Sequence, residues 1–261
     1  MIPVPAFEER GRGARALVFL HGIGGNRHSF DVELASFADS AEWRAIAWDM
    51  PGYGSSAPAL PMTFATLCDS LVALLDHLGV DRAVVVGHSM GGMVAQELVA
   101  RRADRVAALA LVATSPAFGT PGGEWQREFL RQRLAPLDAG KTPADIAPAL
   151  VRGMFGDDPD PRAIARAVDC MAAVPVATYR AALHCLVGFD RREDLGKIRC
   201  PTLVLAAERD RVAAPSLMER MAAAIPGARY ACLPGVGHLA NMERPELFGR
   251  ALREFLGGLE R

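Results

Sequence analysis

The stretch that most limits what this 261-residue chain can fold into is Gly87-His88-Ser89-Met90-Gly91-Gly92. It follows an apolar run at 83–86 and precedes a helical pattern at 93–99, so a Gly-x-Ser-x-Gly spacing sits between a buried strand and a helix. A serine hydroxyl is a weak nucleophile in water; it needs a sharp turn to present it, a base to take its proton and donors for the developing oxyanion. Gly87 and Gly91 have no Cβ, which lets strand and helix close in around a strained residue at position 89. The plainer alternative is a glycine-rich turn with Ser89 as an ordinary helix N-cap. The strand before and the helix after favour the reactive reading.

Composition bounds the classes that remain. Half the residues are apolar (51%), 23% are charged and the formal charge is -1, as in an ordinary globular domain of the cell interior. No basic face is advertised, so nucleic acid is not an expected partner. The first ten residues lack the basic-then-apolar pattern of a signal peptide, and no apolar run reaches membrane-spanning length, so the expectation is a cytoplasmic protein with no membrane partner. Cys68, Cys170, Cys185, Cys200 and Cys232 are odd in number and far apart, which indicates reduced thiols rather than a disulfide framework. The histidines show no metal-ligand spacing, and neither a metal nor a cofactor is expected.

Along the chain, buried strands are expected at 15–20, 44–48, 83–86 and 106–112, with helices at 30–37, 63–78 and after Ser89. The Pro- and Gly-rich first 14 residues leave room for a short opening hairpin only. This rhythm implies a mostly parallel sheet covered by helices on both faces. From 116 to 190 the strands stop, and helical patterns at 124–134, 143–154, 161–173 and 176–187 follow one another. The domain reading is therefore an α/β core in two parts, 1–115 and 191–261, with a helical cap at 116–190 inserted before the last two strands. Those strands are expected at 201–206 and 228–233, and a final helix at 245–256.

Functional residues of parallel sheets gather beyond the carboxyl ends of strands. Ser89, Asp210 and His238 each fall just after an expected strand and run in the order Ser, Asp, His. His238 would take the Ser89 proton while Asp210 holds its other ring nitrogen. The backbone N–H of Met90, with a second donor near Ile23 in the loop His21-Gly22-Ile23-Gly24-Gly25, would bind the oxyanion. Glu208 competes with Asp210 for the acid role. Asp49 reads as a loop brace and His88 as a packing or hydrogen-bonding neighbour.

Taken together, the His21-Gly22 loop, Asp49-Met50-Pro51-Gly52-Tyr53-Gly54, the Ser89 turn and the Asp210 and His238 loops resemble the α/β-hydrolase superfamily over nearly the whole chain. Asp194-Leu195-Gly196-Lys197-Ile198 before Pro201-Thr202-Leu203-Val204, and the stretch from His238 to Glu246, are similar to 3-oxoadipate enol-lactonases and related carboxylesterases. The resemblance implies a serine hydrolase acting on a small carboxylic ester or lactone, with Ile23 and Met90 as oxyanion donors. Meta-cleavage C–C hydrolases are also similar, but typically carry Asn and Trp where this chain has His88 and Leu239. A ligand receptor on the same fold is the alternative from another class. An acidic substrate would find Arg127, Arg131 or Arg180 in the cap, although solvated helix faces explain those arginines as well.

Overall fold

Apolar runs that are continuous rather than alternating mark strands buried on both faces, and that pattern sets the architecture of the computed structural model, which describes residues 2–120 and 122–260. The core opens with β1 (Phe7–Arg10), β2 (Arg15–Leu20), α1 (Asp31–Ser36), β3 (Trp43–Trp48), α2 (Phe64–His77), β4 (Ala83–His88), α3 (Met90–Arg101) and β5 (Val106–Val112). Four helices intervene: α4 (Glu124–Asp138), α5 (Pro143–Arg152), α6 (Pro161–Ala172) and α7 (Val176–Leu186). The chain then adds β6 (Thr202–Ala207), α8 (Pro215–Ala224), β7 (Arg229–Leu233), α9 (Ala240–Glu243) and α10 (Pro245–Gly257).

The seven strands form one sheet in the order β1-β3-β2-β4-β5-β6-β7, parallel except for β1. Alternate strand residues sort to its two faces. Val18, Leu20, Val85, Leu109 and Leu111 pack with Leu67 and Leu71 of α2, Val94 of α3 and Met218 of α8. Phe19, Val84, Val86 and Val112 pack instead with Leu34 of α1 and with Phe248, Leu252, Phe255 and Leu256 of α10. At about 2 kcal/mol per fully buried side chain, the four apolar residues of α10 fix that helix to the sheet.

The short opening hairpin is not formed. β1 pairs antiparallel with β3, Phe7 opposite Trp48, because both edges of β2 are already taken by β3 and β4. Thr63 caps α2, accepting from the Thr66 amide at 3.1 Å, and Gly79 ends that helix at φ +65°. Among the inserted helices, Pro143 and Pro161 occupy first-turn positions, where a missing N–H costs nothing. α4 runs past Pro136 to Asp138, four residues beyond its expected end. The ends of the insertion meet in a single β-bridge between Ala117 and Asp190.

After β2 the chain moves to β3 on one side of it, then crosses back to β4 on the other. This reversal leaves a crevice beyond the carboxyl ends of β2 and β4, the place where open α/β sheets bind ligands. Leu20 lies in register with Gly87, so the loop after β2 and the turn at Ser89 are neighbours.

Candidate active site

Ser89 occupies the residue before α3 at φ 53° and ψ -119°, a left-handed backbone conformation that costs a residue with a side chain on the order of 1–3 kcal/mol. The surroundings hold it there. Its N–H donates to Val112 O at 2.9 Å, and its carbonyl accepts from the Thr114 hydroxyl at 2.7 Å and the Gly92 amide at 2.9 Å. A Cβ on Gly91 would stand 2.1 Å from Leu20 O, and one on Gly87 2.5 Å from Gly91 O, which is why both positions require glycine. Although Ser89 sits at the N-cap position, its side chain makes no capping hydrogen bond. Among the described residues its hydroxyl has no partner, so the hydroxyl is not engaged as a cap.

His238 lies 149 positions further along the chain, yet it lines the same cavities as Ser89. Its amide donates to Met154 O at 2.7 Å, and its Nδ1 meets Asp210 Oδ2 at 2.8 Å. Both side chains are almost fully buried. The other Asp210 oxygen accepts from the amides of Val212 (2.7 Å) and Ala213 (2.9 Å). Burial pushes the Asp210 carboxyl up, but the His238 imidazole and those two amides outweigh it and hold the group below the ordinary carboxylate range. An ionised Asp210 accepts a hydrogen bond from the Nδ1–H of His238, which leaves the Nε2 lone pair for other work. Glu208, the competing acid, is exposed and accepts from the Gly235 amide at 2.7 Å. Glu243 secures this loop: it accepts from Gly237 N at 2.9 Å and from Gly156 N at 3.0 Å, although sequence reading gave it no role.

The loop after β2 lies beside Ser89. His21 is buried; its Nδ1 donates to Gly22 O at 2.8 Å, while its Nε2 accepts from Met50 N at 2.9 Å. An amide can only donate, so the tautomer is fixed and the ring is neutral. Burial drives its pKa down to about 4, against the Gly22 hydrogen bond and the charge of Asp49. Gly25 N also donates to Gly22 O, at 3.0 Å. With its carbonyl held from two sides, the trans Gly22–Ile23 peptide turns the Ile23 N–H the opposite way. Tyr53 donates from its hydroxyl to Ile23 O at 3.0 Å and pins the next peptide. Among the described residues, neither the Ile23 nor the Met90 amide is engaged in a hydrogen bond. A Cβ on Gly22 would come 3.0 Å from the Ser89 Cβ, so this loop and the Ser89 turn are in contact.

Two side chains expected to be bystanders have structural tasks. Asp49 braces its loop, accepting from the amides of Arg27 (2.9 Å) and Ser55 (3.3 Å) and pairing with the Arg27 guanidinium. His88 donates from Nε2 to the His238 carbonyl at 2.8 Å and packs its ring on the His238 ring. Burial lowers its pKa to about 3, so it stays neutral beside the imidazole.

Two cavities meet at Ser89, Ile23, Met154, Tyr179 and His238. The smaller, about 50 Å³, runs under the 22–25 loop and is walled by Val151, Ala167, Met171 and Met242. Asn241 also lines it; its Nδ2 donates to Ser29 O at 2.6 Å, while its buried Oδ1 has no protein partner. The larger, about 450 Å³, lies between α4, α7 and α8 and is lined by Phe118, Phe129, Leu183, Leu186 and Leu217. The arginines singled out from sequence line neither cavity. Arg131 pairs with Glu128 at 2.6 Å, Arg180 with Asp138 at 2.6 Å, and Arg127 bonds the Gly122 carbonyl. Arg133 and Arg211 line the larger cavity instead. Away from both cavities, Glu8, His28 and Asp31 bring ligand atoms within 4.8 Å of one another at the surface. Exposed groups of this kind need no ion, and nothing connects them with Ser89.

Comparison with known proteins places this geometry. The pattern of the α/β-hydrolase fold family matches residues 15–245. A thermophilic esterase from Thermogutta terrifontis superposes with a TM-score of 0.87 at 28% identity, over 98% of this chain and 94% of its own. The enol-lactonase of Burkholderia xenovorans LB400 superposes at 0.84 and 27% identity, over 97% and 96%. In sequence, the acetyltransferase component of the acetoin cleaving system of Pseudomonas putida is 30% identical over 96% of this chain. The chain spans 65% of that relative's length and 66% of that of its counterpart from Cupriavidus necator. With a mostly parallel seven-stranded sheet, a strained serine turn after β4 and a family match over residues 15–245, the chain belongs to the α/β-hydrolase fold family.

Proposed function

We propose that the protein is a serine hydrolase that cleaves a small carboxylic ester or lactone through an acyl-enzyme on Ser89. His238 is the general base and Asp210 the acid that orients it; Ile23 and Met90 supply the oxyanion donors. The reading rests above all on one observation: an unengaged serine hydroxyl on a strained turn shares a cavity wall with an imidazole whose Nδ1 is committed to a buried carboxylate.

In the first half-reaction, Ser89 Oγ attacks the carbonyl carbon and its proton passes to His238 Nε2. The negative oxygen is held by the two unengaged amides, each worth about 3 kcal/mol of barrier. The C–O bond to the leaving group then breaks, and the imidazolium returns the proton to the departing oxygen. With a lactone, that oxygen stays tethered to the acyl chain. In the second half, water attacks the acyl carbon, gives a proton to His238 Nε2, and the Ser89–acyl bond breaks as Oγ regains the proton. Helices α4 to α7 act as a cap in this scheme, supplying walls to both cavities beside Ser89.

Ser89→Ala is expected to abolish turnover of a short-chain aryl ester while the circular dichroism spectrum and melting temperature stay close to wild type. His238→Gln is expected to lose nearly as much rate, since the three side chains act as a unit. A fluorophosphonate is expected to modify Ser89 rapidly. Saturable ligand binding with no labelling and no turnover would instead make the protein a receptor, and cleavage of vinylogous diketones in preference to esters would make it a C–C hydrolase.

A further inference from the structure

The two cavities differ in charge as well as size. Among the described residues no carboxylate lines the larger one, while two arginines do, half-buried Arg133 from α4 and exposed Arg211 from the loop that carries Asp210. Among the described residues, neither has an ion-pair or hydrogen-bond partner. Arg133 meets only the Phe129 ring, with its guanidinium carbon 5.6 Å from the ring centre. Neighbouring arginines are engaged: Arg131 with Glu128, Arg180 with Asp138, and Arg209 with Asp157 at 2.8 Å. A half-buried guanidinium against aromatic and aliphatic walls gives up hydration without gaining a counter-charge.

Tyr179 brings a second polar group to the same walls. Only 3% exposed, it lines both cavities, and its hydroxyl has no hydrogen-bond partner among the described residues. The hydroxyl is not sealed from the cavity, so it is free to meet a group bound there. Burial raises its pKa while the positive charge of Arg133 pulls the other way.

We infer that the larger cavity is an anion-selecting arm: Arg133, with the Tyr179 hydroxyl, receives a carboxylate or phosphate group that the substrate carries at the end remote from the bond that breaks. Arg211 at the Asp210 loop adds a second positive charge. The smaller cavity, about 50 Å³ and without a charged side chain in its wall beyond the catalytic region, takes the short neutral end. The inference rests on the hydrolase reading above and names its substrate class: an anionic ester or lactone rather than a neutral fatty ester. A planar guanidinium grips a carboxylate or phosphate through two parallel hydrogen bonds, which a neutral chain end cannot offer.

Matched esters test it. In one series the anion is on the acyl side: the p-nitrophenyl monoester of adipic acid and the p-nitrophenyl ester of 6-phosphonohexanoic acid, each against p-nitrophenyl hexanoate. In the other it is on the leaving group: 4-carboxyphenyl butanoate against its methyl ester. In at least one series kcat/KM is expected to be tenfold or more higher for the anionic member, through KM. Arg133→Met is expected to collapse that ratio towards one and Arg133→Lys to retain part of it. The series that shows the preference identifies which side of the ester enters the arm, and the two acids tell carboxylate from phosphate. Equal kcat/KM for anionic and neutral members in both series, or a ratio unchanged in Arg133→Met, overturns the inference. Calorimetry on Ser89→Ala with monomethyl adipate against methyl hexanoate separates it from the hydrolase reading. Tighter binding of the anion with no ester turned over by wild type rejects hydrolysis and keeps the anion site; turnover without anion preference does the reverse.

Discussion

At the scale of single residues, the site is built from imidazoles kept neutral by burial and set in one tautomer by their partners. His21 is fixed as the Nδ1–H tautomer between a carbonyl and an amide, and His88 donates an Nε2–H hydrogen bond to the His238 carbonyl. Neutrality in the fold has a cost in acid. Their pKa values, about 4 and about 3, lie below the unfolded value, so between pH 6.5 and 4 the unfolded chain binds protons that the fold refuses. Stability is therefore full above pH 6.5 and is lost as pH falls through that window, by about 1.4 kcal/mol per pH unit for each group. Glu33 acts in the opposite direction. Buried with both oxygens unpaired, its carboxyl is raised to about 8, mainly by burial, so stability is lost as pH rises from 4.5 towards 8. Urea denaturation across pH is expected to give greatest stability near pH 6.5. Glu33→Gln is expected to flatten the alkaline side and to steepen the rise between pH 4.5 and 6.5, and unchanged slopes would show that Glu33 ionises in the fold.

At the scale of elements, the His238 loop is not independent of the inserted helices. The segment just after α5 accepts from the His238 amide through Met154 O, and Gly156 shares the Glu243 carboxylate with Gly237. A Cβ on Gly237 would stand 2.4 Å from Met154 O, so the two strips of backbone lie in direct contact. Glu243→Ala removes what is, among the described residues, the only acceptor of the Gly156 and Gly237 amides. Its expected cost is about 1–3 kcal/mol in unfolding free energy, with kcat reduced more than KM is changed. A wild-type kcat in a variant that shows the stability loss would mean that His238 is placed without this clamp. Element identity was largely readable, because strand and helix signals are local. Pairing was not: the first 14 residues showed only that any opening hairpin must be short, and the occupied edges of β2 send β1 to β3. The arginines show the same limit. Arg131 and Arg133 share α4, but two positions turn a helix by about 200°, so one faces Glu128 and the other the cavity.

At the scale of the whole molecule, the reversal of strand order between β2 and β4 puts the donor loop and the serine turn side by side, and the insertion after β5 divides the space above them in two. If substrates run through the larger cavity, narrowing it discriminates by length. Leu217→Trp, at the α8 wall, is expected to lower kcat/KM for an aryl octanoate relative to the aryl acetate by at least tenfold. An unchanged ratio would place the long end of the substrate elsewhere.

The sequence by itself determined the fold class, the serine turn and the order Ser89, Asp210, His238, because each of these is written in a few adjacent residues: a glycine on either side of a serine, or an acid or histidine directly after an apolar run. Only the tertiary structure decided that Asp210 rather than Glu208 meets His238, that His21 orients the Gly22–Ile23 peptide, and that Tyr179 and Arg133 share a cavity wall. Those relations join residues tens of positions apart, and they depend on helix phase and sheet order, which are settled by packing and by competition for strand edges rather than by local pattern.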